Sequence, residues 1–415
     1  MPYGAHPMKI SLFRWFSFLK KPKLQSKLLR RLFVSASIRR WNDQACPLEF
    51  VELDKQAHKA MIMYLLAKDL IDRGKNLDLD ILIKYFCFEF FERLVLTDIK
   101  PPIFYALQQT HHKELASYVA QSLQDEISSY FSLQELEDYL SHKPKNLETQ
   151  ILESAHFYAS KWEFDIIYHF NPNMYGVKEI KEKIDKQLKN NEHLFEGLFG
   201  EKEDLKKMVS MFGQLRFQKR WSQTPRVPQT SVLGHTLCVA IMGYLLSFDL
   251  KTCKNMRINH FLGGLFHDLP EILTRDIITP IKRSVVGLDD CIKDIEKEEM
   301  QNKVYSFVSL GVQEDLKYFT ENEFKNRYKD KSNQIVFTKD ANELFALYNQ
   351  DEYQGVCGEL LKVCDHLSAF LEAKISLSHG ISSTDLIKGA ENLFKLRSHT
   401  QLLDLDLGAL FRDFK

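Results

Sequence analysis

An all-α fold is what this 415-residue sequence predicts, and three observations predict it. Glycine (17) and proline (12) fall below their usual shares of about 7% and 5%, which disfavours short strands and tight turns. Apolar residues recur at three- and four-residue spacing along most of the chain, the period of an amphipathic helix. Neither a βαβ alternation nor a glycine-rich phosphate loop occurs, which argues against Rossmann and P-loop enzymes. The hydrophobic and charged fractions (44% and 27%) are those of an ordinary globular protein. The length suffices for two or three domains, each with its own core.

Helices are predicted over 58–70, 114–123, 133–140, 146–168, 176–190, 203–219, 235–250, 288–309 and 355–375. Breakers fall at KPPI (100–103), NPNMYG (171–176) and TPRVPQTS (224–231). The best membrane candidate, Leu237 to Leu246, is shorter than the roughly 18 residues a spanning helix needs, so no transmembrane segment is expected. Seven cysteines are odd in number, scattered and never in a CxxC pair. That usage suits a reducing, cytoplasmic location and argues against a zinc ribbon or a disulfide scaffold. Net charge is zero, yet residues 1–42 hold ten Lys/Arg and no acid, leaving the remainder at −10. Such a start suits a membrane-surface arm, a nucleic-acid arm, a targeting peptide or a solvated basic helix face. The last is favoured, because 28–41 falls inside the repeat described next, and no nucleic-acid partner is expected.

A shift of 180 residues superposes 40–70 on 220–250 without a gap. Arg40 meets Arg220, Trp41 meets Trp221, and Tyr64-Leu65-Leu66 meets Tyr244-Leu245-Leu246. A shift of 178 pairs TDIKPPI (97–103) with RDIITPI (275–281). ILESAHFYASKWE (151–163) resembles ELLKVCDHLSAFLE (359–372), placing His156 opposite Asp365 and Glu163 opposite Glu372. Amphipathic helices share leucines for generic reasons, but not Arg-Trp and Asp-Ile-x-x-Pro-Ile in the same order. The organisation expected is two tandem helical domains of like fold: 1–170, a helical linker at 171–200, and 201–415.

The second repeat carries His235 at a helix start, the pair His267-Asp268, and Asp365 in an amphipathic helix. Singly each has a dull explanation as a cap, a core imidazole or a polar-face carboxylate. Together they make a mixed N/O set suited to one divalent ion: Mn, Co, Fe, Zn or Mg. The apolar flanks HFLGGLF and LLKVC add weight, because burying two carboxylates without a cation costs several kcal/mol.

The order H…HD…D resembles the HD-domain superfamily of metal-dependent phosphohydrolases, and the fuller pattern resembles its 5′-deoxynucleotidase branch. The residues that carry the resemblance are KRW (219–221), GH (234–235), FHDLPEILTRDIITPIK (266–282) and VCDHLSAFLEA (363–373). The likeness covers roughly 205–380, and more faintly 28–168. It implies that His235, His267, Asp268 and Asp365 ligate the ion. It also implies that Glu271, one helical turn past His267, handles protons or orients the water. Asp276 would assist, and Arg220 and Trp221 would contact the phosphate and sugar of a nucleotide. The implied substrate is a small phosphate ester, a nucleotide by preference. Two departures bear on that substrate: Gly234 stands where the deoxynucleotidases carry an acidic residue before the first His, and the insert from about 283 to 355 is long. A metal-retaining sensor or scaffold without catalysis is the alternative. The HHExxDGxGYP of cyclic-dinucleotide phosphodiesterases is absent, and Ile272 breaks the HDxxED of alarmone hydrolases.

In the first repeat the same registers place Lys55, Glu89, Phe90, Arg93 and His156 opposite His235, His267, Asp268, Glu271 and Asp365. Only Asp98, opposite Asp276, survives. A protonated Lys and a Phe cannot ligate, so this HD-like repeat is read as degenerate. Lys55 and Arg93 are expected to supply the missing positive charge, pairing Glu89 or binding an anion. A three-residue slip aligning His58 with His235 would break the Tyr-Leu-Leu register. Because HD nucleotidases are commonly homodimers, the resemblance implies an intramolecular pseudo-dimer.

Overall fold

A computed structural model of the protein describes residues 19–97, 99–190, 203–275, 277 and 285–414. Burial of one apolar face sets the first elements. Helix α1 (Ser26–Val34) buries Leu28, Leu29, Leu32 and Phe33. A short ribbon follows, β1 (Arg39–Arg40) against β2 (Phe50–Val51), antiparallel with Arg39 opposite Val51. It leads into α2 (Glu52–Asp72), a central helix buried on every side from Glu52 to Ala67. Helix α3 (Leu79–Val95) starts where the Asp78 carboxylate accepts the N–H groups of Asp80 and Ile81. Helices α4 (Pro101–Ile127) and α5 (Leu133–Ser141) pack together, and α6 (Leu147–Phe170) opens on a capping box between Asn146 and Thr149. Helix α7 (Val177–Asn190) lies within the expected linker, yet it packs back on α6 through Phe164, Val177 and Ile184.

In the second half, α8 (Glu203–Gln214) runs into a 3₁₀ turn at Leu215–Phe217. The buried α9 (Val232–Asp249) lies against α10 (Lys254–Phe266), followed by the single turn α11 (Glu271–Thr274). Helices α12 (Leu288–Lys303) and α13 (Leu310–Thr320) precede a hairpin of β3 (Arg327–Lys329) and β4 (Ile335–Phe337). Then come α14 (Ala341–Leu347), α15 (Gly358–Ser378), α16 (Thr384–Arg397) and α17 (Gly408–Arg412). The fold is all-α, with two two-stranded ribbons among the described residues.

Differences from the sequence reading have physical causes. KPPI does not break a helix; Pro101 begins α4, where its missing N–H has no intrahelical partner to lose. Helix α3 escaped because YFCFEFF is apolar on almost every face and shows no stripe. In α10 the pair Gly263-Gly264 hid the period, but Gly264 is where α10 meets α9: a Cβ there would sit 2.6 Å from the Ala240 Cα. The apolar run of α9 is longer than expected. Its 18 residues, mean hydropathy 1.5, could span a membrane by length and composition, but 89% of them are buried inside the protein.

The two halves repeat local geometry in the register read from the sequence. Helix α2 begins at residue 52 and α9 at 232, and the Arg39–Val51 pairing recurs as a bridge between Lys219 and Ser231. Trp41 and Trp221 both have φ of 57°, a left-handed conformation that is strained for so bulky a residue. Each indole is held there by donating Nε1–H to a buried glutamate, Glu163 at 2.8 Å and Glu372 at 2.9 Å. Helices α2 and α9 pack on each other at the centre. From α2, Tyr64 donates to Asp315 at 2.8 Å, and from α9, Tyr244 donates to Asp80 at 2.9 Å. Equivalent tyrosines therefore cross in opposite directions. Buried residues from Leu24 to Phe414 form one contiguous core that includes both halves.

Candidate metal centre

Three elements deliver the candidate ligands: the first turn of α9 brings His235, the end of α10 brings His267 and Asp268, and the middle of α15 brings Asp365. Ligand atoms of His235, His267 and Asp268 lie within 4.8 Å of one another. His235 Nε2 is 3.3 Å from Asp365 Oδ1 and 3.7 Å from Asp268 Oδ2, and His267 Nε2 is 3.3 Å from Asp268 Oδ1. The structure thus gathers the four residues that the sequence pattern named.

The other imidazole nitrogens are spoken for. His267 Nδ1 lies 2.9 Å from the Gly264 carbonyl, which can only accept, so Nδ1 carries a proton and Nε2 is the ring atom turned toward the other candidate ligands. His235 Nδ1 lies 2.8 Å from Ser368 Oγ. Nε2 of both rings and Oδ2 of Asp268 are buried without a hydrogen-bond partner. Two imidazole nitrogens and a carboxylate oxygen left so, side by side, fit a divalent cation of the N/O class.

Electrostatics around the ligands are uneven. Burial and Arg220 pull the His235 imidazole down, but Asp365 and Glu372 outweigh them and hold it above its ordinary value. Burial pushes the Asp365 carboxyl up, yet Lys362, His235 and His267 bring it well below the usual range. Glu372, which ion-pairs with Arg220 at 3.6 Å and accepts from Thr230 at 2.7 Å, is likewise held low by Arg226 and Arg220 despite its burial.

The remaining predicted residues distribute as follows. Arg220 reaches Asp268 Oδ2 at 3.6 Å, beside the ligands. Trp221 is fixed by Glu372, as its counterpart is by Glu163, so its placement recurs without the metal residues. Glu271 is buried, but not as one turn further along the His267 helix: α10 ends at Phe266 and Glu271 starts α11 after a turn. Its carbonyl accepts from Gln218 at 2.9 Å. Asp276, and Asp98 opposite it, lie outside the described residues.

Sequence reasoning missed Lys362 and Ser368. Lys362 Nζ is 3.1 Å from Asp365 Oδ2 and stands over the Phe324 ring at 3.9 Å. A lysine three residues before a helical Asp carries no special signal. Glu372 was aligned with Glu163 but given no role.

The first half differs from its expected pairing. Lys55 Nζ is 2.6 Å from His156 Nδ1, and Arg93 approaches Glu52 at 3.7 Å. Glu89 instead accepts from Lys59, from Lys143 at 2.5 Å and from Tyr139 at 3.0 Å. His58 faces away, its Nε2 2.8 Å from the Val209 carbonyl in α8. A cleft of about 430 Å³ is lined by Tyr85, Tyr139, His142 and Pro144, and none of the four candidate ligands lines it.

Residues 212–394 match the family model described as HD domain. Over 112 residues the chain is 22% identical to the 4′-phosphooxetanocin A phosphatase of Priestia megaterium, covering 26% of this chain and 57% of that enzyme. The chain thus matches just over half the length of that relative. No solved structure matches the chain at comparable significance. The family match and the phosphatase relative together support the HD superfamily for the second half.

Proposed function

We propose that the chain is a metal-dependent phosphohydrolase whose second half removes phosphate from a small phosphate ester, a nucleotide by preference. The observation that carries this reading is the pair of buried Nε2 atoms beside Asp268 Oδ2. The family match and the phosphatase relative give it its reaction class.

His235, His267, Asp268 and Asp365 would hold one ion, drawn from Mn, Co, Fe, Zn or Mg. Such an ion supplies a water of lowered pKa and neutralises phosphoryl charge. Arg220, with its guanidinium beside Asp268, binds phosphoryl oxygens in the planar manner that suits it. Glu372 keeps Arg220 and Trp221 in place, and Trp221 offers its ring to the substrate. Glu271 takes the proton of the attacking water and returns it to the leaving oxygen as the P–O ester bond breaks. Asp276 assists by hydrogen bonding to that water or to the substrate. A cytoplasmic site of action accords with the seven free cysteines.

The test is metal analysis followed by phosphate release from nucleoside mono-, di- and triphosphates, with p-nitrophenyl phosphate as a generic ester. One ion per chain and release abolished by a chelator are expected. Metal binding without release from any ester would favour the sensor reading instead.

The first half we read as a degenerate copy from an internal duplication, retained as a built-in partner: domains 1–170 and 201–415 joined through 171–200. The crossing Tyr64 and Tyr244 bonds support this, since a two-fold interface uses the same patch twice. A fragment of residues 200–415 is expected to be insoluble or to run as a homodimer in light scattering. A well-behaved, fully active monomer would refute the partner role.

A further inference from the structure

His235 comes from the first turn of α9, and the group that fixes that turn belongs to the other half of the molecule. Ser231 caps the helix: its Oγ accepts the Gly234 N–H at 2.9 Å, and its carbonyl accepts the His235 N–H at 3.0 Å. The Ser231 hydroxyl in turn donates to Asp54 Oδ1 at 2.6 Å. Asp54 stands on α2 and is buried, 2% exposed. A hydroxyl has one proton and two lone pairs, so a carboxylate that takes the proton turns a lone pair toward the helix N–H.

Gly234 shows how closely the two helices must meet for this. A Cβ at that position would lie 2.9 Å from Asp54 Oδ1 and 2.9 Å from Leu53 Cδ2. Positions 54 and 234 are counterparts in the 180-residue register. The carboxylate that is absent before His235 is therefore present before Lys55, and it is laid against the glycine that took its place. The cap at the corresponding start of α2 is Val51, which makes no side-chain bond. The device serves one half only, the half with the metal ligands.

We infer that Asp54 is a positioning residue for the metal centre, supplied by the first half to the helix that carries His235. The inference rests on the reading of His235, His267, Asp268 and Asp365 as ligands. It gives the metal-dead half a task in the chemistry of the other, through orientation rather than contact.

The experiment is cobalt(II) titration of the full-length protein, read by calorimetry and by the visible absorption of bound cobalt, with circular dichroism to check the fold. Asp54→Ala and Gly234→Ala are each expected to weaken cobalt binding about tenfold, the scale of outer-shell substitutions at metal sites, and to change the absorption spectrum. Asp54→Asn, whose carbonyl can still accept the Ser231 proton, should keep most of the affinity. Tyr64→Phe, which breaks a different contact between the halves, should bind as the parent does. Parent-like affinity in Asp54→Ala, or equal weakening by Tyr64→Phe, would overturn the inference. Should Asp54→Ala fail to fold, Ser231→Ala beside Asp54→Asn carries the same decision: unequal affinities support it, and equal ones overturn it. A parent protein that binds no cobalt at all would instead reject the metal reading and this inference with it.

Discussion

At the centre of the second half, His235 and Asp365 stand 3.3 Å apart; in the first half the residues in the same register, Lys55 and His156, stand 2.6 Å apart. Around the first pair, the Nε2 atoms of His235 and His267 and Oδ2 of Asp268 are buried without hydrogen-bond partners. Around the second, the carboxylates are already matched by fixed cations: Glu52 by Arg40 and Arg93, Glu89 by Lys59 and Lys143, Glu163 by Arg40 and Arg216. The first of these clusters leaves polar atoms unmatched although Lys362 and Arg220 stand beside its carboxylates, and the second pairs its carboxylates with lysines and arginines. The two clusters differ in which side chains complete their electrostatics, because a buried charge left without a partner is costly.

The largest expected effect breaks the comparison at the second centre. Asp268→Ala should strip the ion and reduce phosphate release to background, with a loss beyond the roughly 10–100-fold typical of outer-shell changes. Elemental analysis reads this directly. Two tightly held ions per chain in the parent protein would overturn the reading of the first half as degenerate.

Glu271→Gln sharpens the same contrast between holding an ion and moving a proton. The variant should keep its metal and lose on the order of 10²–10⁴-fold in turnover. Turnover equal to the parent would remove Glu271 from the mechanism.

How much of this was legible beforehand depends on what kind of signal each residue left. The four candidate ligands were readable because their residue types and order, H…HD…D, form a pattern in the sequence itself. The correspondence between α2 and α9 was readable because the two segments keep an ungapped register at 180 residues. Glu271 was legible in type but not in placement, since the turn after Phe266 that restarts the helix leaves no periodic trace. Helix α3 shows no stripe because YFCFEFF is apolar on almost every face, and in α10 the pair Gly263-Gly264 interrupts the period. Lys362, Ser368 and the Asp54–Ser231 bond were missed for another reason: each depends on residues brought together from distant positions, with no local pattern to announce it. Gly234 departs from the acidic-His pattern, and the Asp54 carboxylate packed against it comes from 180 residues away.

A smaller effect concerns the two imidazoles that both halves bury as neutral groups. Burial, aided by Arg216, lowers His58 to about 3. Burial also lowers His260 to about 3, with Arg327 adding to it. His260 Nε2 accepts the Cys357 N–H at 2.9 Å, a bond that protonation would destroy. An unfolded imidazole titrates near 6.5, so between about pH 6.5 and 3 the unfolded chain binds more protons than the folded one. Stability must then fall with falling pH, by up to about 1.4 kcal/mol per pH unit for each ring, and be insensitive to both above pH 7. Urea midpoints at pH 7, 6 and 5 check the sign. A midpoint that rises toward pH 5 would contradict both assignments.

The smallest expected change tests whether the first centre needs its lysine at all. Lys55 is fully buried, and among the described residues no carboxylate lies within ion-pair distance of it. Burial, with Arg40 and Lys59 nearby, holds its amine well below the usual lysine range, although Glu52 opposes this. A folded value below the unfolded one means that the folded state resists the proton. The penalty is complete below the folded value and fades as pH rises toward about 10.5. Lys55→Met keeps the length and volume of the side chain and removes that penalty. It forfeits one hydrogen bond to His156, which is only half-buried and can turn to water. The two effects oppose, and replacement of buried charge by a well-packed apolar group is commonly neutral or stabilising. The variant should therefore match or exceed the parent in urea denaturation, within about 2 kcal/mol, and still bind one ion per chain. The corresponding change in the other half, His235→Met, should abolish the ion. A Lys55→Met protein that unfolds by several kcal/mol more easily would mean that the first centre, too, depends on a resident cation, one that the chain supplies for itself.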